Sequence, residues 1–171
     1  MSQDKNSPRA NLSARVWRDP VLWLAFGFGT GLAPKAPGTF GTLPGIALLA
    51  LIGALAESHS ARWVAGLVVV LGLAGIWLCG AASRRLGVHD HGGIVWDEIV
   101  GVLIPFVWLP ITPVNLLLGF VCFRLFDVLK PWPIRWVDQR VQGGLGIMLD
   151  DILAGLFALG LMALLLRFIP H

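Results

Sequence analysis

The chain is a succession of apolar runs separated by short polar clusters. The runs cover residues 20–32, 43–56, 63–82, 99–109, 114–129 and 147–169. None shows the period-two alternation of a half-buried strand, so each is read as helix. Gly27, Gly29 and Gly31 interrupt the first run. Pro34, Pro37, Gly38, Gly41 and Pro44 then make residues 34–44 too rich in breakers to be helical. Residues 43–56 and 63–82 read as a helical hairpin, and a Pro110-Ile111-Thr112-Pro113 turn joins the next two runs. The pattern predicts an all-α bundle of about five to six helices. Residues 1–18 form a basic, partly disordered tail, with a short amphipathic piece around Leu12, Val16 and Trp17 lying on a membrane surface. Residues 19–171 form one membrane-embedded domain. Runs 43–56 and 99–109 are shorter than the roughly 20 residues a full span takes, so they tilt, thin the bilayer or cross in part.

Composition turns these runs from core helices into membrane helices. Hydrophobic residues make up 56% of the 171 and charged residues 13%, where a soluble domain carries about 25% charged. Mean hydropathy is +0.77. The net charge of +3 does not mark a nucleic-acid binder, because the basic residues are scattered among aliphatic segments with no stripe of base-stacking aromatics. Attraction to anionic lipid headgroups accounts for it better. Cys79 and Cys122 lie inside apolar runs and read as small hydrophobes, not as a disulfide or a zinc site.

If each run crosses once, four polar clusters share one membrane face: Gly38 to Gly41, His89 to Glu98, Arg124 to Arg135 and Gly143 to Asp151. Of the 13 Lys and Arg, only Arg62 and Arg167 fall on the other face. The positive-inside rule then turns the clusters to the cytoplasm. Carboxylates at mid-bilayer cost roughly 2.5–3.5 kcal/mol each on insertion scales, so Asp97, Glu98, Asp127, Asp150 and Asp151 require compensation.

Each cluster has a functional reading and an ordinary one. Adjacent Asp97 and Glu98 at a helix start can hold a divalent cation or simply complement the helix dipole. His89 and His91 form a loop pair whose oxygen-rich neighbours favour Mg²⁺ or Mn²⁺ over zinc; they suit phosphate contact or proton transfer. Arg124, Asp127 and Lys130 recur every three residues on one helix face, which suits pairing, while an Arg in an apolar helix is a functional candidate. Arg and Lys offer a planar fork and a point charge to phosphate. Trp132 and Trp136 are placed as interfacial anchors. The Gly143-Gly144-Leu145-Gly146 turn leading to Asp150 and Asp151 can present N–H groups to an anion or act as an ordinary cap. Gly38, Thr39 and Gly41 can cradle phosphate or form a tight turn, but they lack the ending of a Walker loop. Two decoys fall away. Cys79 and Arg85 have phosphatase-loop spacing inside a hydrophobic helix, and Gly27-Phe28-Gly29-Thr30-Gly31 follows no strand and reads as close helix packing.

As an ordered set, these clusters resemble the phosphatidylglycerophosphatase A family. They are Pro37-Gly38-Thr39-x-Gly41; His89-Asp90-His91-Gly92 with Ile94 to Glu98; Arg124-x-x-Asp127-x-x-Lys130-Pro131-Trp132-Pro133-Ile134-Arg135; and Gly143-Gly144-x-Gly146-Ile147-Met148-x-Asp150-Asp151. The likeness runs from about Gly27 to the last helix; Lys35 lies outside the pattern. It implies a multi-pass, all-α enzyme of the bacterial inner membrane, with its site in polar loops at the cytoplasmic face. The enzyme needs Mg²⁺ and removes the terminal phosphate of phosphatidylglycerophosphate to leave phosphatidylglycerol. On that footing Asp97, Glu98, Asp127, Asp150 and Asp151 are expected to hold one or two Mg²⁺ ions. Two leave a near-neutral cage. Arg124, Lys130 and Arg135, with Gly38, Thr39 and Gly41, are expected to hold phosphate. His89 or His91, with Asp90 beside them, would serve the leaving oxygen. No Asp-x-Asp-x-Thr stretch supports a covalent aspartyl-phosphate. The alternatives are a small ion- or proton-coupled transporter using intramembrane Arg and Asp, and a lipid-binding subunit whose charges merely pair. The sequence does not specify an oligomeric state.

Overall fold

The computed structural model describes residues 8–55 and 60–168. Among them are eight α-helices, two 3₁₀ segments and no strand. The helices are α1 (Pro8–Arg18), α2 (Pro20–Ala25), α3 (Pro37–Leu55), α4 (Ser60–Leu86), α5 (Trp96–Gly101), α6 (Pro113–Leu129), α7 (Ile134–Arg140) and α8 (Gly143–Leu165). Three are long and apolar enough to cross a membrane: α3 with 19 residues, α4 with 26 (Ala61–Leu86) and α8 with 23. At 1.5 Å per residue each rises about 28 Å or more, close to the ~30 Å hydrocarbon core.

Helix starts follow local chemistry. Asp19 Oδ1 accepts hydrogen bonds from the N–H groups of Val21 (2.9 Å) and Leu22 (3.4 Å), with Pro20 in the first turn of α2. Thr112 Oγ1 accepts from the Asn115 N–H at 3.1 Å ahead of Pro113, which starts α6. At the other end of α6, Lys130 adopts the left-handed region (φ 42°) and turns the chain toward α7.

Three expectations change. Of residues 34–44 only 34–36 form a non-helical connection, because α3 starts at Pro37 and runs on through Pro44. Pro37 is tolerated in the first turn, where its missing N–H has no partner to lose, whereas Pro44, in the helix interior, leaves the Phe40 carbonyl without its usual donor. Gly38, Gly41 and Gly45 are not turn residues but one helix face, and they let α3 approach α5: a Cβ on Gly41 would meet Val95, and one on Gly45 would lie 2.6 Å from Val102 Cγ1 and 2.8 Å from the Ile99 carbonyl. The run therefore reaches spanning length. Gly143 to Gly146 likewise forms the first turn of α8, not a turn before it. Residues 99–109 do not form one helix; α5 gives way to a 3₁₀ segment at Ile104–Val107. Every residue from Ile99 to Phe106 is buried, so this irregular backbone is sheltered by protein and not by lipid.

The amphipathic piece at Leu12, Val16 and Trp17 is indeed helical, but its apolar side faces the protein. Val16 is fully buried with Leu22, Phe26, Leu78 and Met148, Leu12 packs on the same group, and Trp17 points outward. An ion pair between Asp19 and Arg85, with Arg15 Nη2 donating to the Arg85 carbonyl at 2.7 Å, ties α1 and α2 to the end of α4. A second core gathers Leu49, Leu103, Phe106, Phe123 and Met162 around α8. The outward faces stay apolar, with Val69, Val70 and Leu73 on α4 and Leu117, Val121 and Val128 on α6 exposed, where a soluble helix would carry polar groups.

The α4–α8 contact rests on small residues. A Cβ on Gly144 would run into the Ile76 carbonyl and lie 2.6 Å from the Gly80 N, whereas one on Gly160 would meet nothing. Gly144→Ala should therefore destabilise the detergent-solubilised protein by about 1–3 kcal/mol, the usual cost of overpacking. Gly160→Ala should not. Equal thermal midpoints for the two variants would refute this packing.

Candidate active site

Four elements deliver polar side chains to one end of the bundle. The first turn of α5 carries Asp97 and Glu98, α8 carries Asp150 and Asp151, the last turns of α6 carry Arg124 and Asp127, and α3 brings Gly38 against them. The loop between α4 and α5 adds His89 and Asp90. Carboxylate oxygens of Asp97, Glu98 and Asp151 lie within 4.8 Å of one another. Asp97 Oδ1, Glu98 Oε2, Asp150 Oδ1 and Asp151 Oδ2 are buried with no hydrogen-bond partner. An unsatisfied buried charged oxygen costs more than the ~1–3 kcal/mol of a neutral group, so the three that lie together, on Asp97, Glu98 and Asp151, are compatible with a cation site. An oxygen-only donor set of this kind fits Mg²⁺ and does not favour zinc.

Cations edge the cluster on two sides. Arg124 is paired with Asp127 one turn on and lies 3.6 Å from Glu98 Oε1; its side chain is only 16% exposed. A Cβ on Gly38 would sit among Glu98 Oε1 and both Arg124 terminal nitrogens, so this glycine keeps the backbone of α3 against the ion pair. Lys130 Nζ donates to Asp150 Oδ2 at 2.5 Å and to Asp138 Oδ1 at 2.6 Å. Burial by itself would lower the Lys130 pKa, but Asp150 and Asp138 more than offset it and hold it above the usual lysine range. The ammonium is therefore permanently charged.

Beside Lys130 lies a cavity of about 20 Å³, lined by His89, Asp90, Asp138, Gly146, Ile147 and Asp150, with room for about one water. His89 Nε2 accepts the Gly143 N–H at 2.9 Å, and its carbonyl is 2.7 Å from the Ser83 hydroxyl. His91 Nδ1 accepts the Gly93 N–H at 3.0 Å, and its ring lies 5.6 Å from that of Phe26. Each ring thus has one nitrogen occupied as an acceptor, which leaves the other as the N–H of the neutral form.

The structure thus brings together Gly38, His89, Asp90, Asp97, Glu98, Arg124, Asp127, Lys130, Asp150 and Asp151. Gly41 is taken up by helix packing, Thr39 is half-buried at the entrance of α3, and Arg135 is exposed with no ion pair to a described residue. Asp138 is the residue that sequence reasoning missed. Its one signal is that it is the sole acidic residue between Arg124 and Arg140 besides Asp127.

These features define an all-helical protein of membrane type whose site combines a buried carboxylate cluster with an Arg and a Lys, a pairing suited to phosphoryl groups. Residues 23–166 match the profile of the family "Phosphatidylglycerophosphatase A". A phosphatidylglycerophosphatase A of Escherichia coli is 46% identical over 156 residues, covering 90% of this chain and 85% of its own length. One from Haemophilus influenzae is 40% identical over 159 residues, covering 90% and 91%. A Bacteroides thetaiotaomicron protein, named as a candidate phosphatidylinositol-3-phosphatase, is 36% identical over 148 residues, covering 84% and 91%. No solved structure matches the chain. The chain belongs to the phosphatidylglycerophosphatase A family and is a phosphatase.

The Arg124–Asp127 pair yields a stability test. Arg124→Met should cost about 3–5 kcal/mol by leaving two carboxylates without their cation, and Asp127→Leu in the same chain should restore most of it. Denaturant unfolding in detergent measures both; a single variant as stable as the parent would show that the pair is not a buried one.

Proposed function

We propose that this protein hydrolyses the terminal phosphate of phosphatidylglycerophosphate to phosphatidylglycerol and inorganic phosphate, using Mg²⁺ held by Asp97, Glu98 and Asp151. The observation that carries the reading is the convergence of unpartnered, buried carboxylate oxygens beside Arg124 and Lys130. The names of the relatives from Escherichia coli and Haemophilus influenzae support the substrate. The bias of Lys and Arg toward the site end supports a multi-pass inner-membrane protein with its site facing the cytoplasm.

Charge pairing favours one ion over the two expected from counting five carboxylates. Arg124 serves Asp127 and, at 3.6 Å, Glu98, while Lys130 serves Asp150 and Asp138, so of the cluster Asp97 and Asp151 have no side-chain cation and Glu98 shares one. A second ion would have to displace one of the two side-chain cations. Bound there, Mg²⁺ would supply positive charge against the phosphoryl oxygens and lower the pKa of a water.

The chain's own groups do the rest. Arg124 and Lys130 hold phosphate oxygens and offset the charge that builds up as the phosphoryl group transfers. The water oxygen bonds to phosphorus as the bond from phosphorus to the glycerol oxygen breaks. The departing glycerol oxygen takes up the proton that the attacking water loses, and the imidazole N–H of His89, on the cavity with Asp90 and Asp150, can hydrogen-bond to that oxygen as it leaves. Burial of Asp97 and Asp151 at 8% and 3% exposure keeps bulk water from competing for the metal. Nothing favours the transporter alternative: the polar groups gather at one end of the helices instead of lining a path through them. The Bacteroides relative keeps a phosphoinositide headgroup as a second substrate reading.

The test is phosphate release by purified protein in micelles, with Mg²⁺ or EDTA, from phosphatidylglycerophosphate, phosphatidic acid and phosphatidylinositol 3-phosphate. Release from the first alone, and only with Mg²⁺, is expected. Asp97→Asn should remain folded and lose roughly 10²–10³-fold or more in kcat, on the scale of losing a principal electrostatic group. Chelator-insensitive turnover, or a preference for the inositol lipid, would overturn the assignment.

A further inference from the structure

The N-terminal helices carry a feature that phosphate hydrolysis does not use. Two open grooves border α1 and α2, one of about 470 Å³ lined by Asn11, Ala14, Arg15, Arg18, Asp19 and Leu22, the other of about 400 Å³ lined by Trp17, Arg18, Pro20 and Trp23. Arg18 lines both, so it stands where a polar trough meets an aromatic one. Arg18 is exposed and forms no ion pair with a described residue. Its neighbours are committed: Asp19 pairs with Arg85, and Arg15 donates to the Arg85 carbonyl. Asp19, which lines the polar trough with Arg18, is thus already paired with Arg85. The aromatic trough is shaped too. Trp17, 60% exposed, rests on the 3₁₀ segment at Gly29, where an added Cβ would be 3.1 Å from its ring, and Trp23 meets Phe28 edge-on at 5.0 Å.

We propose that this groove binds one anionic phospholipid that is not the substrate, its phosphate on Arg18 and its glycerol backbone and upper acyl chain against Trp17 and Trp23. The occupant follows from complementarity. An exposed cation with no ion pair among the described residues, beside two amphipathic indoles, matches a molecule with an anionic head and an apolar body, and Trp favours the depth at which headgroup meets hydrocarbon. The location agrees. Arg85 belongs to the last turn of α4, a few residues before His89, so the groove opens at the end of the bundle that carries the carboxylates. The bound lipid also sits on the scaffold of that site, since the Ala25 carbonyl at the end of α2 accepts the N–H of Val95, which leads into α5, at 2.9 Å. The proposal stands apart from the phosphatase reading and is tested without turnover.

The experiment uses the full chain in nanodiscs of phosphatidylcholine doped with phosphatidylserine or phosphatidylcholine bearing bromine on the upper acyl chain, and reads quenching of tryptophan fluorescence. At equal mole fraction the brominated anionic lipid should quench more than the zwitterionic one. Arg18→Gln should weaken that preference roughly fivefold, the effect of removing one basic residue at an anionic surface. Trp17→Phe with Trp23→Phe should remove most of the excess quenching, and millimolar inorganic phosphate should leave it in place. Equal quenching by the two lipids, an excess that survives Arg18→Gln or the double Trp replacement, or loss of the excess to inorganic phosphate would each overturn the proposal.

Discussion

Asp97, Glu98, Asp127, Asp150 and Asp151 sit together at low exposure in a bundle whose remaining surface is apolar. Their mutual repulsion, together with the loss of hydration, is the constraint around which the structure is arranged. Carboxylates in such a setting must be protonated, paired or bound to metal. By placing Arg124 and Lys130 on the end of α6 the fold gives Asp127, Asp150 and in part Glu98 a cation, and it leaves Asp97 and Asp151 facing Glu98 with none. Arg124 reaches its position because it follows an apolar helix started by Thr112 and Pro113. Lys130 reaches its own because the helix ends there in a left-handed turn that swings α7 and Asp138 around it.

Close approach of backbones makes the arrangement possible. Gly38 admits Arg124 and Glu98 beside α3, Gly41 and Gly45 admit α5, Gly101 lies against Phe123 and the Asp151 carbonyl, and Gly144 meets α4. In lipid, helices gain little from burying apolar surface against each other, so small residues and complementary charges carry more of the association. The same glycines that draw the helices together thus set the spacing of the carboxylates. Packing and chemistry share positions here, which is why Gly41 served the fold where sequence reasoning allowed it a phosphate.

Much of this was legible in the sequence. Apolar runs gave α6 almost to the residue and the body of α4, which starts three residues earlier and ends four later than its run, and the charged clusters named nearly every group that converges. The failures have a common origin. Gly and Pro punctuate soluble chains reliably, but in a membrane-type bundle glycine is a contact residue and proline is tolerated in helices, so α3 and α8 start earlier than the breaker rule allows. The break between α5 and the 3₁₀ segment was hidden because a uniformly apolar run has no period to lose. Asp138 escaped because its partner, Lys130, lies eight residues away across a turn whose direction no local pattern records. The inward face of α1 was misassigned for a related reason: an amphipathic helix presents the same stripe whether it lies on lipid or on protein.

Whether Asp97, Glu98 and Asp151 hold a cation is tested by thermal unfolding of the purified protein across a Mg²⁺ titration, with no substrate present. A ligand that binds only the folded state stabilises it by about 2.7 kcal/mol at a hundredfold excess over its Kd. The account predicts a midpoint that climbs with Mg²⁺ in the parent protein and is flat in Asp151→Asn, a variant that should be more stable than the parent in EDTA because one repelling charge is gone. A midpoint in the parent that is the same in Mg²⁺ and in EDTA would contradict it.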